Sequence, residues 1–213
     1  MAKLVSVNVG LPVEIGSARG KRVFSGIVKK PVIRPVIVRK LNLDGDRQAD
    51  LSVHGGVDKA VYVYPSENYP FWKNEFPSLE LPWGSFGENF TTKGLQEDFV
   101  RIGDRLHVGS AEFAITQPRF PCYKLAIRFG TNKMINLFLE SLRSGFYLRV
   151  LKEGKVRAGE EIRVIRGSDD SESVGSIVRT FLENEKAAPR IERKIARRDS
   201  SLSDSDQFSS CKK

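Results

Sequence analysis

Hydrophobic and polar positions alternate along much of the chain, in short runs that glycine and proline residues separate. The runs at residues 4–9 and 23–28 are rich in valine, and residues 60–64 place two tyrosines on one face of a strand and valines on the other. Turn residues recur about every ten positions between the runs. Many short strands and few helices favour a mainly β fold with some α, arranged as a β-barrel.

Two segments of the predicted barrel have helical spacing instead. Ser66 predicts the N-cap of a short aromatic helix that reaches about Phe76. Pro70 must then lie in the first turn of this helix, because a proline further in breaks the hydrogen-bond ladder. Asn132 predicts the cap of a second helix through Leu142, with its apolar residues on one face.

A polar linker at residues 167–173 divides the chain into two predicted parts. Residues 1–166 predict the barrel domain, and residues 167–213 predict a small helical module. The module is too short and too poor in apolar residues to fold alone, so we expect it to pack on the barrel or on a second subunit, which makes a homodimer a candidate assembly. Its three predicted helices are residues 177–182, the segment after Pro189, and residues 203–211.

Positive charge is concentrated at the N-terminal end. The 213 residues carry 35 Lys and Arg against 26 Asp and Glu, a net charge of +9, and residues 1–40 hold nine of the basic residues and one acid, Glu14. Such a patch favours an anionic partner, whether nucleic acid, a phosphorylated cofactor or an acidic membrane surface. Lysines and arginines that merely solvate exposed strand faces give the same pattern, so charge alone leaves the partner open.

The remaining composition predicts a cytoplasmic protein without membrane contact. No apolar run approaches the roughly 18 residues that a membrane span needs, and the first residues lack the apolar region of a signal peptide. Two cysteines offer no disulfide framework, and the spacing of the cysteines and two histidines is not that of a zinc site.

One of these cysteines, Cys122, lies in a segment with the features of a reactive thiol. Pro118 and Pro121 stiffen the loop that carries it and exclude a regular helix or a central strand. Arg119 and Lys124 flank the cysteine, and nearby cations favour the nucleophilic, metal-binding thiolate. A small buried hydrophobic residue is the alternative interpretation of a lone cysteine.

A diglycine segment forms a second candidate site. Gly55 and Gly56 permit positive φ angles and a close approach of the backbone, so their amides can face an anion. His54, Asp58 and Lys59 would project around that anion. A diglycine turn by itself is a weak signal.

A third candidate site follows Gly87. There Glu88 and Asn89 place a carboxylate and an amide at the start of a strand, a pair that can hydrogen-bond the edge of a heterocycle. An ordinary turn with an acid that faces the solvent is the simpler interpretation.

Taken together, these segments resemble the MOSC domain family, named for the C-terminal domain of molybdenum cofactor sulfurases. The resemblance rests on residues 48–62, 84–95 and 118–125 in that order and spacing, and it covers nearly the whole chain. It is closest to the bacterial stand-alone subgroup in which a three-helix module follows the domain. The resemblance implies a β-barrel that binds molybdenum cofactor (molybdopterin), a pyranopterin phosphate.

The resemblance also implies roles for individual residues. Cys122 takes the place of the family's cysteine, as a metal ligand to molybdenum and a catalytic residue or as a persulfide-forming sulfur carrier. Glu88 and Asn89 take the places of the family's acid and amide, as further catalytic residues. The implied cofactor-binding residues are His54, Gly55, Gly56, Asp58, Lys59, Arg119 and Lys124.

Two enzymatic hypotheses follow from the resemblance. In the first, the protein is an oxidoreductase that uses molybdenum to reduce N-hydroxylated small molecules, such as N-hydroxylated purines or hydroxylamines, with electrons from an external donor protein. In the second, Cys122 accepts sulfur from a sulfur donor as a persulfide and delivers it to a metal cofactor. Pyridoxal phosphate is not expected in this chain, because it belongs to the desulfurase domain of fused proteins.

A third hypothesis is not enzymatic. A small basic β-barrel can bind nucleic acid, with Tyr62, Tyr64 or Phe120 as stacking platforms. Aromatic residues at strand spacing are more often part of a core, so nucleic acid is the least favoured partner.

Overall fold

Twelve β-strands and four α-helices make up the described part of the chain, which comprises residues 1–49 and 55–187 of a computed structural model. The strands are β1 Ala2–Val9, β2 Val13–Ala18, β3 Lys21–Ser25, β4 Lys30–Val32, β5 Val36–Val38, β6 Val61–Pro65, β7 Phe90–Lys93, β8 Arg105–Val108, β9 Ala111–Pro118, β10 Phe146–Lys152, β11 Gly154–Val156 and β12 Glu161–Ile165. The helices are α1 Tyr69–Glu75, α2 Tyr123–Phe129, α3 Lys133–Glu140 and α4 Val174–Ala187, and 3₁₀ turns cover Val57–Lys59 and Ser66–Asn68.

Seven of the strands close into a barrel. β1, β7, β6, β10, β9, β8 and β12 pair in that order, and β12 returns to β1 where Ile162 faces Ala2 and Glu161 faces Lys3. Neighbours are antiparallel except β6 and β7, which run parallel because the connection through α1 carries the chain back across the barrel. β4 extends the pairing of β1, while β2 with β3 and β5 with β11 form separate pairs. The predicted mainly β fold, built as a β-barrel, is confirmed.

Strand β6 separates two hydrophobic cores. Val61 and Val63 belong to the core inside the barrel, whereas Tyr62 and Tyr64 belong to an aromatic core between the barrel wall and the short helices. Tyr64 stacks on Phe86 with ring centroids 4.5 Å apart, and such a pair contributes roughly 1 kcal/mol beyond its buried area. The alternation predicted for residues 60–64 is therefore confirmed.

The short helices match the sequence-based predictions in part. Pro70 lies in the first turn of α1, as expected, but the N-cap is Asn68 and not Ser66, because Ser66 begins a 3₁₀ turn that precedes the helix. α3 begins directly after Asn132, as predicted. α2, which immediately follows Cys122, is absent from the sequence-based prediction.

Helix α4 is anchored to the barrel through its first turns. Val174 and Val178, one turn apart, are buried, and Val174 is part of the core inside the barrel. The Ser173 hydroxyl accepts a backbone amide hydrogen bond at 3.1 Å and so caps the N-terminus. Further along, Arg179 pairs with Asp98 at 2.8 Å. The expectation that the module packs on the barrel is met by this helix.

α4 is the first helix of the predicted C-terminal module. The other two predicted helices, after Pro189 and over residues 203–211, lie outside the described residues, so the three-helix module is not confirmed. The division into residues 1–166 and 167–213 stays a prediction. In the described ranges, no helix has both the length and the apolar character needed to cross a membrane.

Candidate functional site

A pocket opens beside the barrel where the loop after β9, the start of α2 and residues 46–49 meet. β9 ends at Pro118, residues 119–122 turn away from the sheet, and Cys122 forms the N-cap of α2. Gly130 ends α2 after seven residues, in the left-handed conformation that glycine adopts without strain. Cys122 is a half-buried free thiol on the pocket wall, held between a barrel strand and a short helix.

Positive charge dominates this pocket. Among the described residues on its wall, five side chains are cationic and one is a carboxylate: Lys29, Arg47, Lys59, Arg119 and Lys124 against Asp46. Lys124 and Arg119 are buried, whereas Arg47 is exposed. Solvent and salt screen buried charges least, so the pocket favours an anionic ligand.

Arg119 gives the clearest indication that the pocket can accept an anion. Its guanidinium lies between two rings, 5.2 Å from the centroid of Tyr62 and 5.0 Å from that of Phe138. The side chain is 94 % buried and lines the pocket, yet its Nη1 has no hydrogen-bond partner among the described residues. A buried charged donor left without an acceptor costs free energy. An anion bound in the pocket would supply the missing acceptor.

Lys29 and Asp46 form a buried ion pair in the pocket wall that the sequence-based reasoning missed. Their side chains are only 7 % and 1 % exposed, and Asp46 also accepts a hydrogen bond from the Gly10 amide at 2.9 Å. Burial lowers the pKa of Lys29, and the charge of Asp46 opposes this effect. In the sequence, Asp46 belongs to an Asp-Gly-Asp stretch that indicates only a turn, and Lys29 is one of several lysines in the basic N-terminal region.

Asn89 connects that ion pair to the barrel. Its Nδ2 donates to Asp46 at 2.9 Å, and its Oδ1 accepts from the Tyr62 amide at 3.1 Å. Asn89 lines the pocket and is buried. The amide predicted from the sequence therefore lies at the site, where its hydrogen bonds fix the wall.

Glu88 lies behind the wall and does not line the pocket. It is fully buried and accepts four hydrogen bonds, from Tyr69 Oη at 2.5 Å, Thr91 Oγ1 at 2.9 Å, and the amides of Gly84 at 2.7 Å and Phe86 at 3.1 Å. Burial raises the pKa of Glu88, and these hydrogen bonds oppose the rise. The carboxylate thus holds the turn at residues 84–88. A catalytic role for Glu88 stays a prediction.

Of the described residues in the diglycine segment, one contributes its side chain to the pocket. Lys59 lines it, whereas Asp58 is paired with Arg149 at 2.5 Å on the surface. Gly56 has a φ of 100°, which confirms the positive φ expected there. Gly55, Gly56 and Asp58 are not among the lining residues, and His54 lies outside the described residues.

The aromatic residues proposed as nucleic-acid platforms are mostly inaccessible. Tyr62 is 5 % exposed and Tyr64 is fully buried, so neither can stack on a base, and this part of the nucleic-acid hypothesis is wrong. Both tyrosine rings point away from the barrel interior and are buried in the aromatic core. Phe120, at 40 % exposure, is the one of the three that reaches the surface.

The fold and the pocket define a class of protein: a closed β-barrel with a cysteine on the wall of a cationic pocket. The family model described as "MOSC domain" matches residues 50–163, and the chain belongs to the MOSC domain family. This match covers the diglycine segment, the turn around Glu88 and the loop around Cys122.

Relatives support the assignment over nearly the full length. The chain is 40 % identical to the uncharacterized protein YflK of Bacillus subtilis (strain 168), over 99 % of this chain and 93 % of that protein. It is 32 % identical to a protein named "Reductase" of Gibberella moniliformis, over 70 % of this chain but 27 % of that protein. The crystal structure of YiiM from Geobacillus stearothermophilus superposes with a TM-score of 0.71 at 32 % identity, covering 89 % of this chain and 88 % of that one.

Proposed function

We propose that this protein is a reductase of N-hydroxylated compounds that depends on molybdenum cofactor, and that Cys122 binds the molybdenum. The observation that carries the proposal is the pocket itself, in which the free Cys122 thiol and the unpartnered Nη1 of buried Arg119 share one wall. A thiolate is a soft ligand suited to a redox metal, and the guanidinium fits a phosphate.

The described residues fit the cofactor that the family suggests. Cys122 would hold the metal, while Arg119, Lys124 and Lys59 would bind the phosphate-bearing part. When bound, the cofactor supplies the two-electron chemistry at the metal. The hydrogen bonds of Asn89 to Asp46 and to the Tyr62 amide would hold that part of the pocket wall in place for the ligand.

The balance of the reaction requires an external reductant. Reduction of an N-hydroxyl group to an amine consumes two electrons and two protons and releases water, because the N–O bond breaks. We therefore propose that a separate electron-donor protein delivers the electrons. The relative named "Reductase" supports the reductase class, although its match covers a minor part of that longer protein.

The first experiment combines elemental analysis with a turnover assay. The protein is purified from a host that makes molybdenum cofactor, and its molybdenum content is measured before an anaerobic assay with an N-hydroxylated purine and a chemical reductant. We expect near-stoichiometric molybdenum and formation of the amine. Protein without molybdenum, even after incubation with cofactor, would contradict the proposal. A persulfide on Cys122 after sulfur-donor treatment would then favour the sulfur-carrier function.

Replacing Arg119 with methionine tests the phosphate-binding role. Methionine keeps an apolar chain between Tyr62 and Phe138 but removes the charge. We expect the molybdenum content after dialysis to fall about tenfold or more, since a charge-assisted hydrogen bond contributes roughly 1.5–3 kcal/mol. The free energy of unfolding should change by less than about 1 kcal/mol, because lost cation–π contacts and relief of an unpartnered buried donor oppose each other.

Urea denaturation of the same Arg119→Met preparation serves as the control for this result. A variant that retains its molybdenum would show that Arg119 does not bind the cofactor. A variant that loses both molybdenum and several kcal/mol of stability would assign Arg119 to the fold instead.

A further inference from the structure

Phe120 occupies an unusual position at the pocket rim. It lies two residues before Cys122, lines the pocket, and keeps 40 % of its surface exposed. The backbone is fixed on both sides of it. The Arg119 amide donates to the Gly145 carbonyl at 3.3 Å, and the Cys122 carbonyl accepts from the Leu125 amide at 2.9 Å. These hydrogen bonds hold the backbone, whereas the Phe120 ring is held by a side-chain contact from another element.

Helix α4 provides that contact. Val174, Val178 and Phe181 are spaced by four and three residues, so they lie on one face of the helix. The two valines are buried, and the next position on this face brings Phe181 to Phe120, with ring centroids 4.7 Å apart and the rings tilted by 51°. The face that anchors α4 thus ends on the rim of the pocket.

The anchoring makes this contact a fixed support. The Ser173 cap, the buried valines and the Arg179–Asp98 ion pair hold α4 along its first two turns, directly before Phe181. Because packed aromatic pairs have preferred geometries, a ring presented from a fixed helix restricts the orientation of its partner.

We propose that Phe181 is a positioning residue for the pocket: it keeps the Phe120 ring at the rim and thereby limits access to the Cys122 thiol. The C-terminal helix then acts on the site without contacting the ligand. This role goes beyond the proposed reductase function. Phe181 would limit access to the thiol in the same way if Cys122 carried sulfur as a persulfide.

The test measures the accessibility of Cys122 rather than turnover. The full-length protein is treated with iodoacetamide, and the alkylation rate at each cysteine is read by peptide mass spectrometry, with Cys211 as the internal reference. We expect Phe181→Ala to speed alkylation of Cys122 about fivefold, the shift in a local opening equilibrium that loss of one aromatic pair produces. Phe181→Leu should restore a rate within about twofold of the original, because it keeps most of the apolar contact.

Two further variants separate positioning from a general loss of stability. Val178→Ala removes part of the anchoring of α4 but leaves the Phe120–Phe181 ring pair in place, so we expect a smaller acceleration of Cys122 alkylation than in Phe181→Ala. In a Phe120→Ala background, Phe181→Ala should have no further effect, because the pair is already broken. An unchanged rate in Phe181→Ala, or an equal acceleration in Val178→Ala, would overturn the proposal.

Discussion

Replacing Cys122 with serine is expected to abolish molybdenum-dependent reduction of N-hydroxylated substrates, with a loss of at least about a hundredfold in turnover. Loss of residues that merely orient a metal ligand already costs roughly 10–100-fold, so loss of the ligand itself should cost more. Serine is nearly isosteric, but its hydroxyl stays protonated at neutral pH and is a hard, weak ligand for a redox metal. Molybdenum content and turnover are measured on the same preparation.

Stability and the second cysteine provide the controls for this variant. Cys122 is half-buried, so serine should change the free energy of unfolding by less than about 1 kcal/mol. Cys211→Ser changes the same atom type outside the matched MOSC residues 50–163, and we expect it to keep full activity. Retained molybdenum and turnover in Cys122→Ser would refute the proposed ligand.

The second large effect is expected from Asp46→Ala, which should lower the free energy of unfolding by about 3–5 kcal/mol. Removing one partner of a buried ion pair leaves the other charge uncompensated in a medium that solvates it poorly. Here the Lys29 side chain, 7 % exposed, would lose its carboxylate, and the Gly10 amide would lose its side-chain acceptor. Asn89 Nδ2 would lose the shorter of its two hydrogen bonds. Urea denaturation measures the change.

A double variant identifies the cause of that loss. Lys29→Met combined with Asp46→Leu removes both charges, so we expect it to recover a large part of the stability that Asp46→Ala loses. A loss below about 1 kcal/mol in Asp46→Ala would mean that water reaches Lys29. The pocket wall at residues 46–49 would then owe its position to other contacts.

The parts of the fold that the sequence predicted are those in which the local pattern and the tertiary environment agree. Residues 60–64 alternate, and the structure has two cores on the two faces of β6, so the pattern alone was sufficient. α3 begins directly after Asn132 as predicted, because an apolar face follows at helical spacing, although the Asn132 side chain makes no capping hydrogen bond. α2 was missed because two prolines precede it and Gly130 ends it after seven residues. Seven residues are too few for the helical spacing of apolar residues to be recognised.

The candidate site was only partly predictable for a different reason. Cys122, Arg119 and Lys124 come from one short segment, and the structure places all three on the pocket wall. Lys29 and Asp46 are 17 residues apart, and nothing local distinguishes a buried pair from two surface charges. Conversely, Glu88 has the residue type of a catalytic acid. Its carboxylate is nevertheless buried, where it accepts four hydrogen bonds from the surrounding fold.

The two faces of β6 belong to different cores, so the sequences of the barrel interior and of the layer beside the pocket can change independently during evolution. Substitutions at Val61 and Val63 alter only the interior that keeps the barrel closed, whereas those at Tyr62 and Tyr64 change the layer on which Arg119 rests. Substitutions on one face of this strand can therefore change the support of Arg119 while the other face stays unchanged. A library that aims to alter the pocket should therefore vary the aromatic layer and keep the valine face of β6 unchanged.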